Sequence, residues 1–269
     1  MDKINVNKIF ENERRTFDDL LGVMDALLGE GGCPWDREQT HDSLKRYLIE
    51  EAYETLEAID AKDDALLCEE LGDVLLQIVF HAKIAGAFGV DDVISGVCKK
   101  MISRHPHVFG AADAKTSDAV LRNWEKIKRD EMGLGSQADV LRRVPANLPA
   151  LMRAYKVQQK ARDVGFDWDD VKPLFDKAEE ELGELREAVA SGDGKSIEEE
   201  FGDLLFAMVN LSRFVGVHPE LALAAATEKF IGRFAAMEAA IRGDGRRFDE
   251  MSLAEMDVYW ERVKDAECP

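Results

Sequence analysis

The sequence predicts an all-α protein built from two tandem helical-bundle domains. Three observations support this class: apolar residues recur with a helical period, the same motifs occur twice in the same order, and turn-forming residues are scarce. Glycine (20) and proline (7) are too few in 269 residues for a turn-rich β protein. Hydrophobic residues at 46% and charged residues at 33% are typical of a soluble globular chain.

The first helix of the repeated unit is predicted over 48–59 in one copy and over 178–189 in the other. In both segments apolar residues recur every three to four positions, which is the period of an amphipathic helix. These residues are Leu48, Ala52, Leu56 and Ile59 in the first copy and Ala178, Leu182, Leu185 and Val189 in the second.

The second helix is predicted from Leu66 to Ile84, with its counterpart from Ile197 to Val215. It is apolar on most sides, so we expect it to be the central helix of a bundle. Asp60-Ala-Lys-Asp-Asp and Ser191-Gly-Asp-Gly supply the connecting turns. Two helices joined by so short a link pack antiparallel as a hairpin.

An internal repeat defines the domains. EEAYETLEAI (50–59) aligns with EELGELREAV (180–189), and EELGDVLLQIV (69–79) aligns with EEFGDLLFAMV (199–209). Order and chemistry are kept while loop lengths differ, as tandem duplication of a folded unit would leave them. The segment 133–149 begins with glycine and serine and ends with two prolines. We therefore expect an N-terminal domain at 1–134 and a C-terminal domain at 149–269.

Each copy carries two pairs of acidic residues with helical spacing. In the second copy Glu181 and Glu184 are three apart on one predicted helix, and Glu200 and Asp203 are three apart on the next. Residues three apart share a helix face, so antiparallel packing brings four carboxylates around one point. Hard oxygen ligands of this kind suit Mg²⁺, with Mn²⁺ as an alternative, rather than zinc. Glu180 is either a base or supporting carboxylate of this site, or plain surface.

The aligned acidic residues of the first copy define a second candidate site. They are Glu50, Glu51, Glu54, Glu70 and Asp73. A single such pair is usually a solvated helix face. Two pairs occurring twice at the same separation, with one pair inside an apolar helix, favour a cation site.

Basic and aromatic residues also recur after the acidic helices. Lys and Arg side chains donate hydrogen bonds to phosphate oxygens, and a tryptophan ring can stack on any nucleobase. The candidate substrate-binding residues of the second copy are Lys177, Lys229, Arg233, Trp260 and Lys264. Their first-copy counterparts, apart from Lys177, are Lys100, Arg104, Trp124 and Lys128.

Charge and cysteine usage exclude several classes. A net charge of -19 argues against binding of nucleic acid, which needs clustered cations. The apolar run Val74–Val90 contains Gln77, His81 and Lys83, so we predict a buried helix and no membrane span. No C-x-x-C pair and no signal-peptide core occur, which predicts a cytoplasmic protein with reduced thiols.

The doubled acidic pattern resembles the MazG family of all-α nucleoside triphosphate pyrophosphohydrolases. Three further segments carry the same resemblance, which covers nearly the whole chain: CPWDREQTHDSLKRYLIEEAYE (33–54), NWEKIKRDE (123–131) and KVQQKARDVGFDW (156–168). It implies hydrolysis of nucleoside triphosphates to the monophosphate and pyrophosphate, with broad base tolerance, and a homodimer; pairing of the two copies within one chain is the alternative to the dimer. It maps the metal ligands onto Glu181, Glu184, Glu200 and Asp203, and the nucleotide contacts onto Lys177, Lys229, Arg233, Trp260 and Lys264.

Two alternatives stay open at this stage. One is a narrower enzyme, dUTPase-like or acting on phosphoribosyl nucleotides. The other is a helical module that senses nucleotide without turnover. Within the leading hypothesis the C-terminal copy is expected to carry most of the catalysis, with Glu180, Glu181 and Glu184 as candidate catalytic residues, because Lys177 precedes its acidic motif where the first copy has Tyr47.

Overall fold

The protein is all-α in the computed structural model, which describes residues 14–133 and 135–267. Within these ranges every regular element is helical and no strand is present, so the predicted class is confirmed. The chain divides into two compact units, the first ending at Lys128 and the second beginning at Arg129. The domain limits 1–134 and 149–269 stay a prediction.

The first unit is organised around a long helical hairpin formed by α3 and α4, against which α1 packs. Its core includes Met24, Leu44, Val79 and Phe80, each at most 4% exposed. Burial of such side chains stabilises a fold by about 1.5–3 kcal/mol each. The helices are α1 (Phe17–Leu28), α2 (Pro34–Glu38), α3 (His41–Ala61), α4 (Asp64–Ile84), α5 (Val90–Arg104) and α6 (Pro106–Phe109), followed by α7 (Ser117–Met132), which runs across the boundary between the units.

The second unit repeats the hairpin with α10 and α11, and α9 packs against α11. The Gln158 side chain on α9 donates a hydrogen bond of 2.8 Å from Nε2 to the carbonyl oxygen of Phe206 on α11. A separate apolar cluster around Met237, Ile241 and Tyr259 joins α12 to α13. The helices are α8 (Gln137–Arg142), α9 (Ala150–Arg162), α10 (Lys172–Ser191), α11 (Gly194–Phe214), α12 (Pro219–Gly243) and α13 (Leu253–Glu267), with a 3₁₀ turn at Phe248–Glu250.

The turns of the two hairpins are tighter than the sequence predicted. Only Lys62 and Asp63 separate α3 from α4, and only Gly192 and Asp193 separate α10 from α11. Lys62 and Gly192 both adopt left-handed backbone, with φ of 56° and 74°. Asp63 and Asp193 both accept backbone N–H groups of the helix that follows. Because an aspartate cap satisfies otherwise unpaired N–H groups, two residues are enough to reverse the chain.

Within the described residues no helix is long and apolar enough to cross a membrane. Cys33, Cys68 and Cys98 are free thiols, and Cys268 lies outside the described residues. The cytoplasmic location stays a prediction.

Candidate metal centre

The second hairpin brings three predicted carboxylates together. Glu181 and Glu184 share one face of α10, and Glu200 faces them from α11. One oxygen of each lies within 4.8 Å of the others. Glu181 is buried, at 6% exposure, while Glu200 is half-buried and Glu184 is exposed. We call these three residues the C-terminal carboxylate group.

Desolvation and the neighbouring negative charges both act on Glu184. The pKa of the Glu184 carboxyl is raised by partial desolvation and by the neighbouring Glu181 and Glu200 charges. A bound divalent cation would offset the repulsion among carboxylates held this close. An all-oxygen donor set of this kind fits Mg²⁺ or Mn²⁺.

Lys177 lies beside the C-terminal carboxylate group. Its Nζ is 2.7 Å from Oε1 of Glu181 and 2.8 Å from Oε1 of Glu180. Its pKa is raised, first by the hydrogen bond to Glu180 and then by the one to Glu181. The structure therefore places a permanent positive charge at the edge of the acidic cluster, with Glu180 as its outer partner.

Asp203, the fourth predicted ligand, is not part of this close group. It is exposed and lies three residues beyond Glu200 on α11. Its spacing from Glu200 puts it on the same helix face.

The first hairpin has a matching but not identical group. Oxygens of Glu51, Glu70 and Asp73 lie within 4.8 Å of one another, and all three residues are half-buried. The pKa of the Glu51 carboxyl is raised by burial and then by Asp73 and Glu54, and that of Glu70 by desolvation and then by Glu54. Glu54 is exposed beside the three, and Glu50 is exposed on α3. We call Glu51, Glu70 and Asp73 the N-terminal carboxylate group.

The other basic and aromatic residues predicted for the second copy lie on α12 and α13, the two helices that follow the second hairpin along the chain. Lys229, which is exposed, and Arg233, which is half-exposed, lie on α12. The ring of Trp260 on α13 packs 5.2 Å from the ring of Phe230 and borders the apolar cluster of α12 and α13. Lys264 pairs with Glu261 at 2.7 Å. Part of the Trp260 ring is therefore covered by Phe230 and by the apolar cluster.

In the first copy two of the four predicted residues meet directly. The Arg104 guanidinium lies 5.3 Å above the centre of the Trp124 ring, a cation–π contact. Lys100 is exposed on α5 and Lys128 is half-exposed on α7.

Sequence reasoning missed a buried ion pair next to the second hairpin. Arg213, near the end of α11, donates a two-pronged hydrogen bond to the carboxylate of Asp167, and its side chain is 4% exposed. Asn210 also accepts hydrogen bonds from this guanidinium, the shorter being 2.7 Å. Burial acts to raise the pKa of the Asp167 carboxyl, but the hydrogen bonds from Arg213 and from the Trp168 N–H outweigh it and hold the pKa below its usual value. A charged residue near the end of an apolar helix was the available signal.

Comparison with known proteins places both carboxylate groups inside one recurring domain. The family model for the MazG nucleotide pyrophosphohydrolase domain matches residues 39–109 and again residues 169–236. Each matched segment contains one carboxylate group together with the hairpin that carries it.

Similar proteins are found over almost the full length of the chain. A nucleoside triphosphate pyrophosphohydrolase/pyrophosphatase MazG from Thermotoga maritima is 49% identical, over 92% of this chain and 95% of the relative. A nucleoside triphosphate pyrophosphohydrolase from Escherichia coli is 43% identical, over 93% of this chain and 97% of the relative. The uncharacterized protein YabN of Bacillus subtilis is 44% identical over 98% of this chain, which spans 54% of that protein.

Proposed function

Because this chain belongs to the MazG family of nucleotide pyrophosphohydrolases, we propose that it hydrolyses nucleoside triphosphates to the monophosphate and pyrophosphate, with Mg²⁺ or Mn²⁺ as cofactor. The observation that carries the proposal is the C-terminal carboxylate group with Lys177 at 2.7 Å from Glu181. It combines what a triphosphate site needs, namely ligands for a divalent cation and a charge for phosphate oxygens. The full-length relatives from Thermotoga maritima and Escherichia coli carry the same activity in their names.

In this proposal Glu181, Glu184 and Glu200 hold the metal, with Asp203 as a fourth ligand from the same face of α11. A bound Mg²⁺ would lower the pKa of a water and neutralise charge on the phosphates. Burial of Glu181 fixes one ligand in place, while the exposed Glu184 leaves the group open to substrate. Glu180, held by Lys177 at 2.8 Å, is a candidate to accept the proton of the attacking water.

Lys177 has a second role in the proposal. Its ammonium contacts both Glu180 and Glu181. It can therefore donate to a phosphate oxygen while it keeps one carboxylate partner. Lys229, Arg233 and Lys264 are proposed to bind the remaining phosphate oxygens, and Trp260 to contact the base. Attack at the α-phosphorus gives pyrophosphate as the leaving group, whose charge these cations stabilise.

The experiment that tests this function measures pyrophosphate release by the purified protein from a panel of ribo- and deoxyribonucleoside triphosphates. We expect release with Mg²⁺ or Mn²⁺, none with excess chelator, and broad tolerance of the base. In water enriched in heavy oxygen the label is expected in the monophosphate. Diphosphate and orthophosphate as first products would refute the proposal. Turnover of dUTP alone or of a phosphoribosyl nucleotide alone would indicate the narrower enzymes, and binding without turnover a nucleotide sensor.

We also propose that the protein is a homodimer. Each acidic hairpin leaves large apolar side chains exposed, and monomeric proteins rarely expose contiguous apolar patches of this kind. On α11 they include Phe201, Leu205, Phe206 and Met208, which are 43–52% exposed. On α4 they include Leu71, Leu75 and Ile78. A second copy offers the same self-complementary surface.

Sedimentation measures the dimer directly. We expect a dimer at micromolar concentration, and partial dissociation when Phe201→Glu puts a charge into the apolar surface of α11. A matched charge on the exposed Lys195, as Lys195→Glu, is expected to leave the dimer intact. A monomeric wild-type protein would contradict the proposal. With a net charge of -19, no binding of nucleic acid is expected.

A further inference from the structure

The connection between α9 and α10, residues 163–171, exposes two large aromatic side chains. Phe166 is 81% exposed and Trp168 is 45% exposed. Exposed tryptophan is costly in a soluble protein and is enriched where a surface binds a partner. We call this segment the aromatic loop.

Backbone hydrogen bonds tie the start of the aromatic loop to the end of α9. At the end of α9 the Gly165 N–H donates to the Arg162 carbonyl at 2.8 Å, and the Phe166 N–H donates to the Ala161 carbonyl at 3.3 Å. Gly165 has φ of 84°, a left-handed conformation that favours glycine. The chain therefore leaves α9 in one defined direction.

The Asp167–Arg213 pair fixes the next part of the loop. The Asp167 carboxylate accepts the Arg213 guanidinium fork and also the backbone N–H of Trp168. Arg213 belongs to α11, the helix that carries Glu200. The backbone at Trp168 is thus coupled to one helix of the C-terminal carboxylate group, which reduces the conformational entropy that the loop loses when the ring makes a contact.

The aromatic loop leads directly into the acidic hairpin. Trp168 lies four residues before the start of α10, and along that helix the axis from Lys172 to Glu181 spans about 13.5 Å at 1.5 Å per residue, a length on the scale of a nucleoside triphosphate. The base, ribose and phosphates of a nucleotide can bridge that separation. Lys177 lies between the two ends, 2.7 Å from Glu181.

Charge determines which end of a nucleotide fits the aromatic loop. Asp169 and Asp170 follow Trp168 and are exposed, so they repel phosphate. An uncharged base suffers no such repulsion and stacks favourably on an indole ring. Phosphates are instead attracted by Lys177 and by the divalent cation of the proposed metal site.

We propose that Trp168 binds the nucleobase of the substrate by stacking and that the Asp167–Arg213 pair positions it. This inference rests on the proposed function and adds a base contact that spacing alone did not indicate. Stacking on a ring face does not distinguish among bases, which agrees with broad base tolerance. Phe230 covers part of the Trp260 ring, so Trp168 is the more open of the two indoles for this contact.

The test compares two ligands of the whole protein. One is α,β-methylene-ATP, which has a base and resists cleavage at the proposed bond; the other is inorganic tripolyphosphate, which has no base. We expect Trp168→Ala to weaken binding of the methylene analogue about 5- to 100-fold and to leave tripolyphosphate affinity unchanged. Trp168→Phe, which keeps a flat ring, is expected to restore most of the lost affinity.

Several outcomes would overturn the proposal. Equal weakening of both ligands would show that the aromatic loop acts through the fold of the hairpin. Unchanged affinity for the methylene analogue would show that the base lies elsewhere. Dissociation of the assembly in Trp168→Ala would show that the loop covers a second copy instead. Because binding is measured without turnover, these results are distinguishable from a failure of the proposed hydrolysis.

Discussion

Lys177 illustrates how one side chain balances a cluster of like charges. Its ammonium contacts both Glu180 and Glu181, and these two hydrogen bonds raise its pKa. Lys177 does not cancel the effect of the cluster on Glu184, whose pKa is still raised by desolvation and by the Glu181 and Glu200 charges. The residue is therefore better suited to hold phosphate than to replace a metal.

Substitution of Lys177 tests this role. Lys177→Met is expected to lower kcat/KM for triphosphates about 10- to 100-fold, because it removes a charge that stabilises phosphate oxygens in the transition state. Steady-state pyrophosphate release measures it. Lys172→Met, an exposed lysine at the start of the same helix, serves as the control and is expected to behave like wild type. Equal activity of both variants would remove Lys177 from the site.

The Asp167–Arg213 pair predicts a defined dependence of stability on pH. The folded pKa of Asp167 lies below its ordinary value of 3.8. The stabilisation it contributes is therefore present above that ordinary value and is lost as pH falls through the folded pKa. At pH 7, Asp167→Asn is expected to lower the free energy of unfolding by about 3–5 kcal/mol, since it leaves a buried guanidinium unpaired.

Denaturant unfolding at pH 7 and at pH 3 checks this expectation. The destabilisation by Asp167→Asn is expected to shrink at the lower pH, because pH 3 lies below the ordinary aspartate pKa of 3.8, where the contribution of the pair declines. The double variant Asp167→Asn with Arg213→Leu is expected to recover part of the stability, because no unpaired charge remains buried. A loss that is the same at both pH values would contradict the assignment.

At the scale of helices, much of the architecture was predictable from periodicity. Apolar spacing over 48–59 and 178–189 located α3 and α10, and the apolar runs located α4 and α11. The helices extend further than predicted at the turns, because Asp60 and Ala61 continue α3. Capping by Asp63 and the left-handed Lys62 decide the boundary, and periodicity carries no information on either.

The site was predictable to the extent that it depends on spacing along one helix. Glu181 with Glu184, and Glu200 across the hairpin, follow from an i, i+3 pattern on antiparallel helices. The spacing does not predict which three of the four carboxylates lie close together. The C-terminal group includes Glu184 but not Asp203, whereas the N-terminal group includes Asp73 but not Glu54. That difference depends on rotamers and on the local approach of the helices. The Asp167–Arg213 pair joins a loop to a distant helix and leaves no periodic signal.

Substitutions at the two left-handed turn residues are expected to change stability in opposite directions. A non-glycine residue in left-handed backbone costs about 1–2 kcal/mol. Lys62→Gly is therefore expected to stabilise the first unit by up to about 1 kcal/mol, the entropy of the unfolded glycine offsetting part of the gain. Gly192→Ala is expected to destabilise the second unit by about 1 kcal/mol. An added Cβ at Gly192 meets no atom within 4 Å, so the effect isolates backbone strain.

Thermal unfolding of the two variants measures these shifts. Melting temperatures that move in opposite directions would support the assignment. A Gly192→Ala variant as stable as wild type would mean that the turn adopts another backbone conformation in solution.

At the scale of the whole molecule, duplication gives two acidic hairpins that are alike in sequence and unlike in surroundings. The C-terminal group has Lys177 in contact, and the aromatic loop, which is hydrogen-bonded to Arg213, precedes its helix. At the position of Lys177 the first copy has Tyr47, whose ring packs edge-on against Trp35 at 5.8 Å. Among the described contacts, only the C-terminal carboxylate group has a lysine paired with it. A triphosphate is therefore expected to bind and react mainly at the second hairpin.

Glu70 and Glu200 allow a matched test of this asymmetry. They are aligned in the two copies, both are half-buried, and each belongs to the close group of its own hairpin. Glu200→Gln is expected to lower pyrophosphate release about 100-fold or more, because it removes a ligand of the proposed catalytic metal. Glu70→Gln is expected to leave most of the activity, since its hairpin lacks the lysine that grips phosphate. Activity lost in Glu70→Gln but kept in Glu200→Gln would assign catalysis to the first copy, and equal partial losses would mean that both hairpins turn over substrate.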